Sequence, residues 1–511
     1  GHVVLVHNGI IENYLEIKRD ILAKGHRPIS ETDSELFAFL VFDGMEEGLS
    51  LQKAVSQAFG RVHGQCSVVV MSEKEPEVIV GVRNGSPLVA TLDPEGGMIL
   101  ASDAQPLIAL NKKMYFLDHG DLIVGTRKGM EFFEVNTLKP IQRTSITLDW
   151  SPEKLDKGGF PHFMLKEIYE QPQVLVDTLN GLLNRVQAEP FRFQDCPALK
   201  ILDQAQELTL VACGTSWHAA LLGKYWLEKW AKIPVHVELA SEFRYRDPLV
   251  KEGAVVMGIT QSGETADTLA VLREMRKRGI PTLGISNVRG SSIEREANAV
   301  FYTSAGPEVG VAATKTFLAQ MLTLFLLAGH LSFKRTGVAP EVLAKVFEDL
   351  LKLPHLLAAG LEEKSEMVFQ TEKAAHALAD VKGFFFMGRG YSYPMALEGA
   401  LKLKEIAYDY SEGYAAGELK HGPIAMIDRG MVVVVLAPRD PWRDKTVSNL
   451  EEVKARGATI VGIGDSDDRD LRELCDHWIP LPPEESDPPM HQTTGRSSST
   501  KGVLRMPKRR A

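Results

Sequence analysis

Apolar positions change rhythm along the chain. Over residues 1 to about 145 they fall in short runs, at 3–7, 66–71, 78–82, 88–92 and 98–101, each closed by turn residues. Runs of this length, rich in β-branched residues, predict strands. Asn84-Gly85 and Glu95-Gly96-Gly97 predict tight turns between adjacent strands, and so antiparallel sheet. Two stretches with helical spacing, 12–24 and 33–42, lie among them, which makes this region α+β.

Between 149 and 160 the chain is rich in Pro, Gly and charge, a linker, and 164–173 opens a long helical pattern. From about 200 onward strands alternate with longer helices, which predicts βαβ units around a parallel sheet. This stretch repeats itself. Gly214 and Gly390 stand 176 residues apart, and at the same interval Ser216 meets Ser392, Ala220 meets Ala396, Gly223 meets Gly399 and Leu227 meets Leu403. Arg278-Gly279 and Gly284 likewise match Arg456-Gly457 and Gly462. Matches at turn glycines, loop serines and apolar helix positions together predict two copies of one α/β domain with doubly wound parallel sheets. The expected layout is 1–145 for the α+β region, 146–198 for a linker and helical segment, 199–339 and 375–482 for the two copies, and 340–374 for a helical connection. Residues 483–511 read as a tail without helix or strand pattern.

Composition narrows the class. With 511 residues, 44% hydrophobic and 24% charged, the chain is typical of a soluble globular protein. A net charge of −9 argues against a general nucleic-acid binder. Four scattered cysteines without a C-x-x-C pair fit reduced thiols in a cytoplasm and give no zinc site, so no metal or other cofactor is expected. The runs at 322–328 and 431–437 fall short of the ~20 residues that span a bilayer, so no membrane segment is expected. The chain opens strand-like on Gly-His-Val-Val, which suggests that a segment precedes it.

Candidate chemistry gathers where strands run into helices. The strand at 208–214 ends at Gly214-Thr215-Ser216, and that at 254–259 ends at Thr260-Gln261-Ser262-Gly263-Glu264-Thr265. Hydroxyls and unpaired backbone N–H groups at two neighbouring helix starts make a cradle for a phosphate. Taken singly, each Ser or Thr reads more readily as an N-cap, and it is the pair of clusters at neighbouring strand ends that favours the cradle. The second copy lacks this cluster, because Ala437-Pro438-Arg439-Asp440 stands in its place. It offers instead Glu398, Lys402 and Glu405, on one helical face at i, i+4 and i+7, and a Gly-bounded loop containing His421. Glu-to-Lys at i, i+4 is commonly a solvated pair. Beside a phosphosugar, however, a Lys, a Glu and a His are the set that enediol proton transfer requires.

The strings Ala212-Cys-Gly-Thr-Ser216, Ala240-Ser-Glu-Phe-Arg-Tyr-Arg246, Gln261-Ser-Gly-Glu-Thr-Ala-Asp-Thr268, Leu397-Glu-Gly-Ala-Leu-Lys-Leu-Lys-Glu405 and Gly417-Glu-Leu-Lys-His-Gly-Pro423 resemble the glutamine–fructose-6-phosphate aminotransferase (isomerizing) family, the glucosamine-6-phosphate synthases. The likeness runs from residue 1 to about 482. It implies an N-terminal-nucleophile glutaminase domain, a partial αββα sandwich, followed by two sugar-isomerase (SIS) domains. The substrates implied are fructose 6-phosphate and glutamine. By position, the resemblance implies that Thr215, Ser216, Thr260, Gln261, Ser262 and Thr265 bind the sugar phosphate, with Val311 contacting the sugar through its backbone. It assigns proton transfer to Glu405, places Lys402 by the C1–C2 centre and gives ring opening to His421, which the family supplies from the neighbouring subunit of a dimer. Val6-His7-Asn8-Gly9 resembles the glutaminase oxyanion loop, with donors from the Asn8 side chain and the Gly9 backbone, and Asp33 would hold the α-amino group of glutamine. Read alone, Asn8-Gly9 is a turn and Asp33 an N-cap.

Two departures qualify the resemblance. The family's nucleophile is an N-terminal Cys, whereas the first Cys here is Cys66, within a predicted strand, so no glutaminase activity is expected of this polypeptide. The family's C-terminal Schiff-base Lys also has no counterpart in 483–511. Two other readings stand beside the favoured one. A non-catalytic SIS-type sugar-phosphate sensor would need neither Lys402, Glu405 nor His421, and a pure SIS isomerase or deaminase would need no glutaminase region.

Overall fold

The computed structural model describes residues 2–127, 129–148, 156–183, 190–336, 338–381 and 383–482. The expectation for the tail therefore lies outside the described residues. The chain falls into two compact units, Gly1–Asp156 with Arg289–Ser292 and Lys157–Val288 with Ile293–Ala511.

The first unit contains β1 (Val3–Gly9), α1 (Tyr14–Ala23), α2 (Asp33–Glu46), α3 (Leu51–Phe59), β2 (Cys66–Ser72), β3 (Ile79–Asn84), β4 (Val89–Leu92), β5 (Met98–Ala101), β6 (Lys113–Phe116), β7 (Asp121–Thr126), β8 (Gly129–Glu134), β9 (Pro140–Ile141) and β10 (Ile146–Thr147). They form two antiparallel sheets, β1-β2-β3-β7-β8-β9 and β10-β6-β4-β5. One face of the larger sheet buries Val68, Val70, Val80 and Val82 against Ile17, Ile21, Phe37 and Val55 of the helices. Its other face packs Ile123 and Phe132 against Leu88 and Ala90 of the smaller sheet. The result is helices on sheet on sheet.

The Glu95-Gly96-Gly97 turn joins β4 to β5, which pair from Val89↔Ala101 to Leu92↔Met98. Asn84-Gly85 does not make the expected hairpin. β3 pairs with β2 and β7, and the chain crosses there to the other sheet. The positive φ of Gly85, +88°, serves that crossing, and the Asn84 side chain donates to the Gly64 carbonyl at 2.9 Å.

Beyond the linker come α4 (Phe163–Tyr169), α5 (Gln171–Leu182), α6 (Pro197–Gln204), β11 (Glu207–Ala212), α7 (Gly214–Trp226), β12 (Val235–Leu239), α8 (Ala240–Phe243), β13 (Ala254–Ile259), α9 (Ala266–Lys277), β14 (Thr282–Ser286), α10 (Ser292–Glu296), β15 (Ala299–Tyr302) and α11 (Lys315–Arg335). Then follow α12 (Pro340–Leu361), α13 (Glu366–Ala377), β16 (Gly383–Gly388), α14 (Ser392–Ala407), β17 (Tyr410–Ala415), β18 (Met431–Leu436), α15 (Arg443–Lys454), β19 (Thr459–Asp465), α16 (Arg469–Glu473) and β20 (His477–Leu481). The helical pattern from 164 is two helices rather than one. Pro172 lies in the first turn of α5, where its missing N–H costs nothing and ends the ladder of α4.

Two parallel sheets result, β12-β11-β13-β14-β15 and β17-β16-β18-β19-β20, with identical strand order. Their central strands are buried on both faces, as in β13, where all six residues are buried. Gly214 and Gly390, the anchors of the repeat, both adopt left-handed backbone (φ +53° and +57°) at the strand-to-helix turn. In this strand order the direction of winding reverses between the first and third strands of each copy, and ligands lie outside the carboxyl ends there. Those ends are β11 and β13 in the first copy, and β16 and β18 in the second. Helices α7 and α14 pack on one another and join the copies. By length and composition α11 could cross a membrane, but it is buried almost throughout as the core helix of this unit.

Candidate active site

At the ends of β11 and β13 the cradle hydroxyls are placed by sharp turns. Neither α7 nor α9 is capped by a side chain, although Thr265 occupies the N-cap position of α9. The Thr265 hydroxyl instead meets that of Thr260 at 2.7 Å, and Thr260 Oγ1 accepts the Gly263 N–H at 3.3 Å. Ser262 Oγ accepts from Glu264 N at 3.1 Å. The turn is thus held by its own hydroxyls, while among the described residues no side chain caps the first N–H groups of either helix. Among the described residues no side-chain hydrogen bond engages Ser216 or Gln261. Asn287, at the end of β14, donates its backbone N–H to the Gln261 carbonyl at 3.1 Å and its side-chain amide to the Gly306 carbonyl at 2.6 Å. It thereby ties the cradle to the loop between β15 and α11.

The charged residues of α14 come to this edge from the other copy. Lys402 is 1% exposed, which rules out the solvated-pair reading. Its ammonium donates to Glu405 Oε2 at 2.6 Å, to Thr215 Oγ1 at 3.1 Å and lies 3.2 Å from Glu398 Oε1. Two hydrogen bonds and an ion pair to a second carboxylate thus compensate the buried charge. Glu398 is equally buried and receives two further bonds, from Thr215 Oγ1 at 3.0 Å and His218 Nδ1 at 2.6 Å. Burial opposes its charged form, but the His218 hydrogen bond and the Lys402 charge outweigh it and hold the carboxyl below its ordinary range. Thr215 gives its one proton to Glu398, so it connects the cradle to this network rather than facing outward alone. Glu405, the outermost member, is half-buried and accessible to a ligand.

Neither His218 nor Glu398 is singled out as a site residue by the sequence, although Glu398 belongs to the i, i+4, i+7 face. His421 ends a short turn at Ala416–His421 and is exposed. Among the described residues no hydrogen bond or ion pair joins it to Lys402 or Glu405. Val311 is 93% exposed in the β15–α11 loop.

The corresponding edge of the second copy is closed. A Cβ on Gly390 would lie 2.5 Å from the Trp442 ring, so that ring covers the turn. Arg443 is paired with Asp468, its Nη2 donating to Oδ1 at 2.6 Å. Burial, with Asp465 beside it, pushes the Asp440 carboxyl up to about 6, so it is anionic at neutral pH.

In the first unit Asn8 and Gly9 end β1 opposite Ser67 and Cys66. Gly9 has φ +130° and approaches Gln65 so closely that a Cβ would sit 2.1 Å from its carbonyl oxygen, so only glycine fits. Asp33 is not the N-cap of α2, a position held by Thr32. Its Oδ2 accepts the Ile11 N–H at 2.8 Å, which brings the carboxylate to the Asn8–Gly9 turn. His7, not foreseen, stands between them, 2.9 Å from Ser34 Oγ and 3.5 Å from Asp33 Oδ1. Burial and the nearby Asp33 push the Cys66 thiol up to about 11, so it is no nucleophile at neutral pH. No group of three or more His, Cys, Asp or Glu among the described residues has the geometry of a metal site.

Comparison with known proteins accords with this arrangement. The SIS domain model matches residues 201–329 and 377–500, and the glutamine amidotransferase domain model matches residues 1–109. The class is therefore a glutamine amidotransferase region followed by paired SIS domains. Glutamine–fructose-6-phosphate aminotransferase (isomerizing) of Chlorobaculum tepidum is 44% identical over 490 residues, covering 94% of this chain and 78% of that protein. A protein of the same name from Thermus thermophilus is 42% identical over 482 residues, covering 94% and 78%. A solved C-terminal domain of glucosamine-fructose-6-phosphate aminotransferase from Francisella tularensis superposes with a TM-score of 0.61 at 37% identity, covering 68% of this chain and 97% of that one. Tagatose-6-phosphate ketose/aldose isomerase from Escherichia coli shares the fold, with a TM-score of 0.53 at 17% identity over 68% and 92% of the two chains. The chain belongs to the glutamine–fructose-6-phosphate aminotransferase (isomerizing) family.

Proposed function

We propose that the chain acts in converting fructose 6-phosphate and glutamine to glucosamine 6-phosphate and glutamate, with the sugar held at the ends of β11 and β13. The observation that carries this reading is the buried Lys402, hydrogen-bonded to Glu405 and, across the α7–α14 contact, to Thr215, and ion-paired with Glu398. A binding module would have no use for so destabilising a charge beside a phosphate cradle.

The phosphate sits on the N–H groups that open α7 and α9, with Ser216, Gln261, Ser262 and the Thr260–Thr265 pair around it. Thr215 links that cradle to the reacting centre. Once ammonia has replaced the C2 carbonyl oxygen, lost as water, to give the open-chain imine, Glu405 removes a proton from C1, the double bond moves from C2=N to C1=C2 as the nitrogen takes up a proton, and protonation at C2 with loss of the C1 hydroxyl proton leaves the amino aldose. Lys402 aims Glu405 through its 2.6 Å hydrogen bond to Oε2. His421 opens the sugar ring from a second copy in a homodimer, and Val311 offers its backbone to the sugar. Asn8 and Gly9 are placed to donate to the oxyanion of glutamine hydrolysis and Asp33 to hold its amino group, but Cys66 does not supply the nucleophile that step needs, so the ammonia is not made by this polypeptide. Four unbridged cysteines suit a reducing, cytoplasmic setting.

Calorimetric titration with fructose 6-phosphate tests this first. Saturable binding that disappears when Ser216 and Ser262 are both changed to Ala supports the reading. Binding that survives the double change places the sugar elsewhere and overturns it. The dimer is tested by mixing H421A and E405Q chains. If His421 crosses between subunits, hybrid dimers contain one intact site, and about a quarter of parental activity returns.

A further inference from the structure

The chain between β15 and α11, residues 303–314, has no regular structure, yet its backbone is closely held. Buried amides need partners, and here two buried carboxylates supply them. Glu308 Oε1 accepts the N–H of Thr314 at 2.8 Å and of Thr316 at 3.2 Å. Glu167, 2% exposed and on α4, reaches across with Oε1 to the N–H of Val309 at 2.6 Å and of Gly310 at 3.0 Å. Three residues after Glu167, Glu170 pairs with the buried Lys315 at 2.6 Å, fixing the far end of the loop to the same helical segment. The approach is tight: a Cβ on Gly310 would lie 2.6 Å from Glu167 Oε2. That second oxygen has no hydrogen-bond partner among the described residues.

A carboxylate buried with one oxygen unsatisfied is destabilising, and a neutral side chain would fill the space with less penalty. What it secures is local. Val309 and Gly310 are locked immediately before Val311, which stands 93% exposed. The loop is joined to that cradle through Asn287. The helix that holds it lies outside residues 201–329, the stretch matched by the SIS domain model.

We propose that Glu167 is a positioning residue for the sugar, holding the 309–311 backbone so that Val311 meets the sugar end of the ligand while the phosphate occupies the cradle. This rests on the proposed sugar site. Two readouts separate its failure from that of the site itself. The first is amide exchange at Val309 and Gly310 in the unliganded chain, which reports the clamp whatever the ligand. The second compares affinity for fructose 6-phosphate with affinity for inorganic phosphate, which fills the cradle alone.

In E167A the two amides should lose protection and fructose 6-phosphate affinity should fall about tenfold, the value of one well-aimed hydrogen bond. Phosphate affinity should stay within about twofold. In E167Q the amide oxygen still accepts both N–H groups, so protection and affinity should return. G310A, which disturbs the clamp without altering α4, should resemble E167A. Unchanged sugar affinity in E167A despite exposed amides would overturn the proposal. An equal loss of sugar and phosphate would also overturn it, by showing a merely structural role. A parent that protects both amides but binds no fructose 6-phosphate would instead sink the sugar site, and the proposal with it.

Discussion

The interface between α7 and α14 is decided by single residues. Lys402 and Glu398 are buried charges, and each is tolerable because hydrogen bonds and their mutual ion pair compensate it. Changing Thr215 to Val keeps the shape but strips one acceptor from Lys402 and one donor from Glu398. The expected loss is ~1–3 kcal/mol, read from the urea midpoint. Changing Glu405 to Gln removes a charge that is half-exposed, so stability should hold while formation of glucosamine 6-phosphate falls roughly 10²–10⁴-fold. Glu398 also sets an acid limit. Its folded-state value lies below the ordinary 4.5, so its contribution is complete above 4.5 and is lost as the pH falls through the lower folded value. Below 4.5, stability should drop less steeply in E398Q than in the parent. The Glu398–Lys402–Glu405 face was legible in the sequence because one helix fixes its spacing. His218 was not, since its partner lies 180 residues away and only the packing of two helices unites them.

Among the elements, those whose signals are local were readable and those defined by distant partners were not. Strand β13 and the start of α2 match their sequence patterns because both depend on runs of a few residues. Asn84-Gly85 has the same turn chemistry whether the chain folds back or crosses to another sheet, so the local signal could not choose between them. Strands β6 to β10 are short, mixed in polarity and held by pairing, which local pattern does not reveal. The β15–α11 loop had no local signature at all, since its order comes from Glu167 and Glu308. There the electrostatic sign is opposite to that of Glu398. Burial first, and the Glu167 charge beside it, hold the Glu308 carboxyl above its ordinary 4.5. Its contribution is therefore complete below 4.5 and is lost as the pH rises through the higher folded value. In E308Q the acceptor for Thr314 and Thr316 remains while the charge goes. The variant should be more stable than the parent near neutral pH, with the gap closing toward 4.5, as thermal unfolding across that range will show.

At the scale of the whole molecule, one fold occurs twice and the two copies have divided the work. Both sheets have the same strand order, and both place a glycine with left-handed backbone at the first strand-to-helix turn, so topology alone predicts two anion sites. Side chains favour one, the proposed sugar site. In the first copy the turn is lined by hydroxyls and uncapped N–H groups. In the second, Trp442 covers Gly390, Arg443 is paired with Asp468, and Asp440 brings negative charge to the place a phosphate would occupy. What the second copy contributes is α14, which carries Glu398, Lys402 and Glu405 to the first copy's cradle. Titration with fructose 6-phosphate should therefore saturate at one sugar per chain. Ser216→Ala with Ser262→Ala should abolish that binding, whereas Arg443→Ala should leave both stoichiometry and affinity unchanged, because among the described residues its guanidinium pairs with Asp468 and Asp444. Two sugars per chain, or a loss of half the binding on changing Arg443, would mean that the second copy has kept a cradle of its own and that the division of labour is wrong.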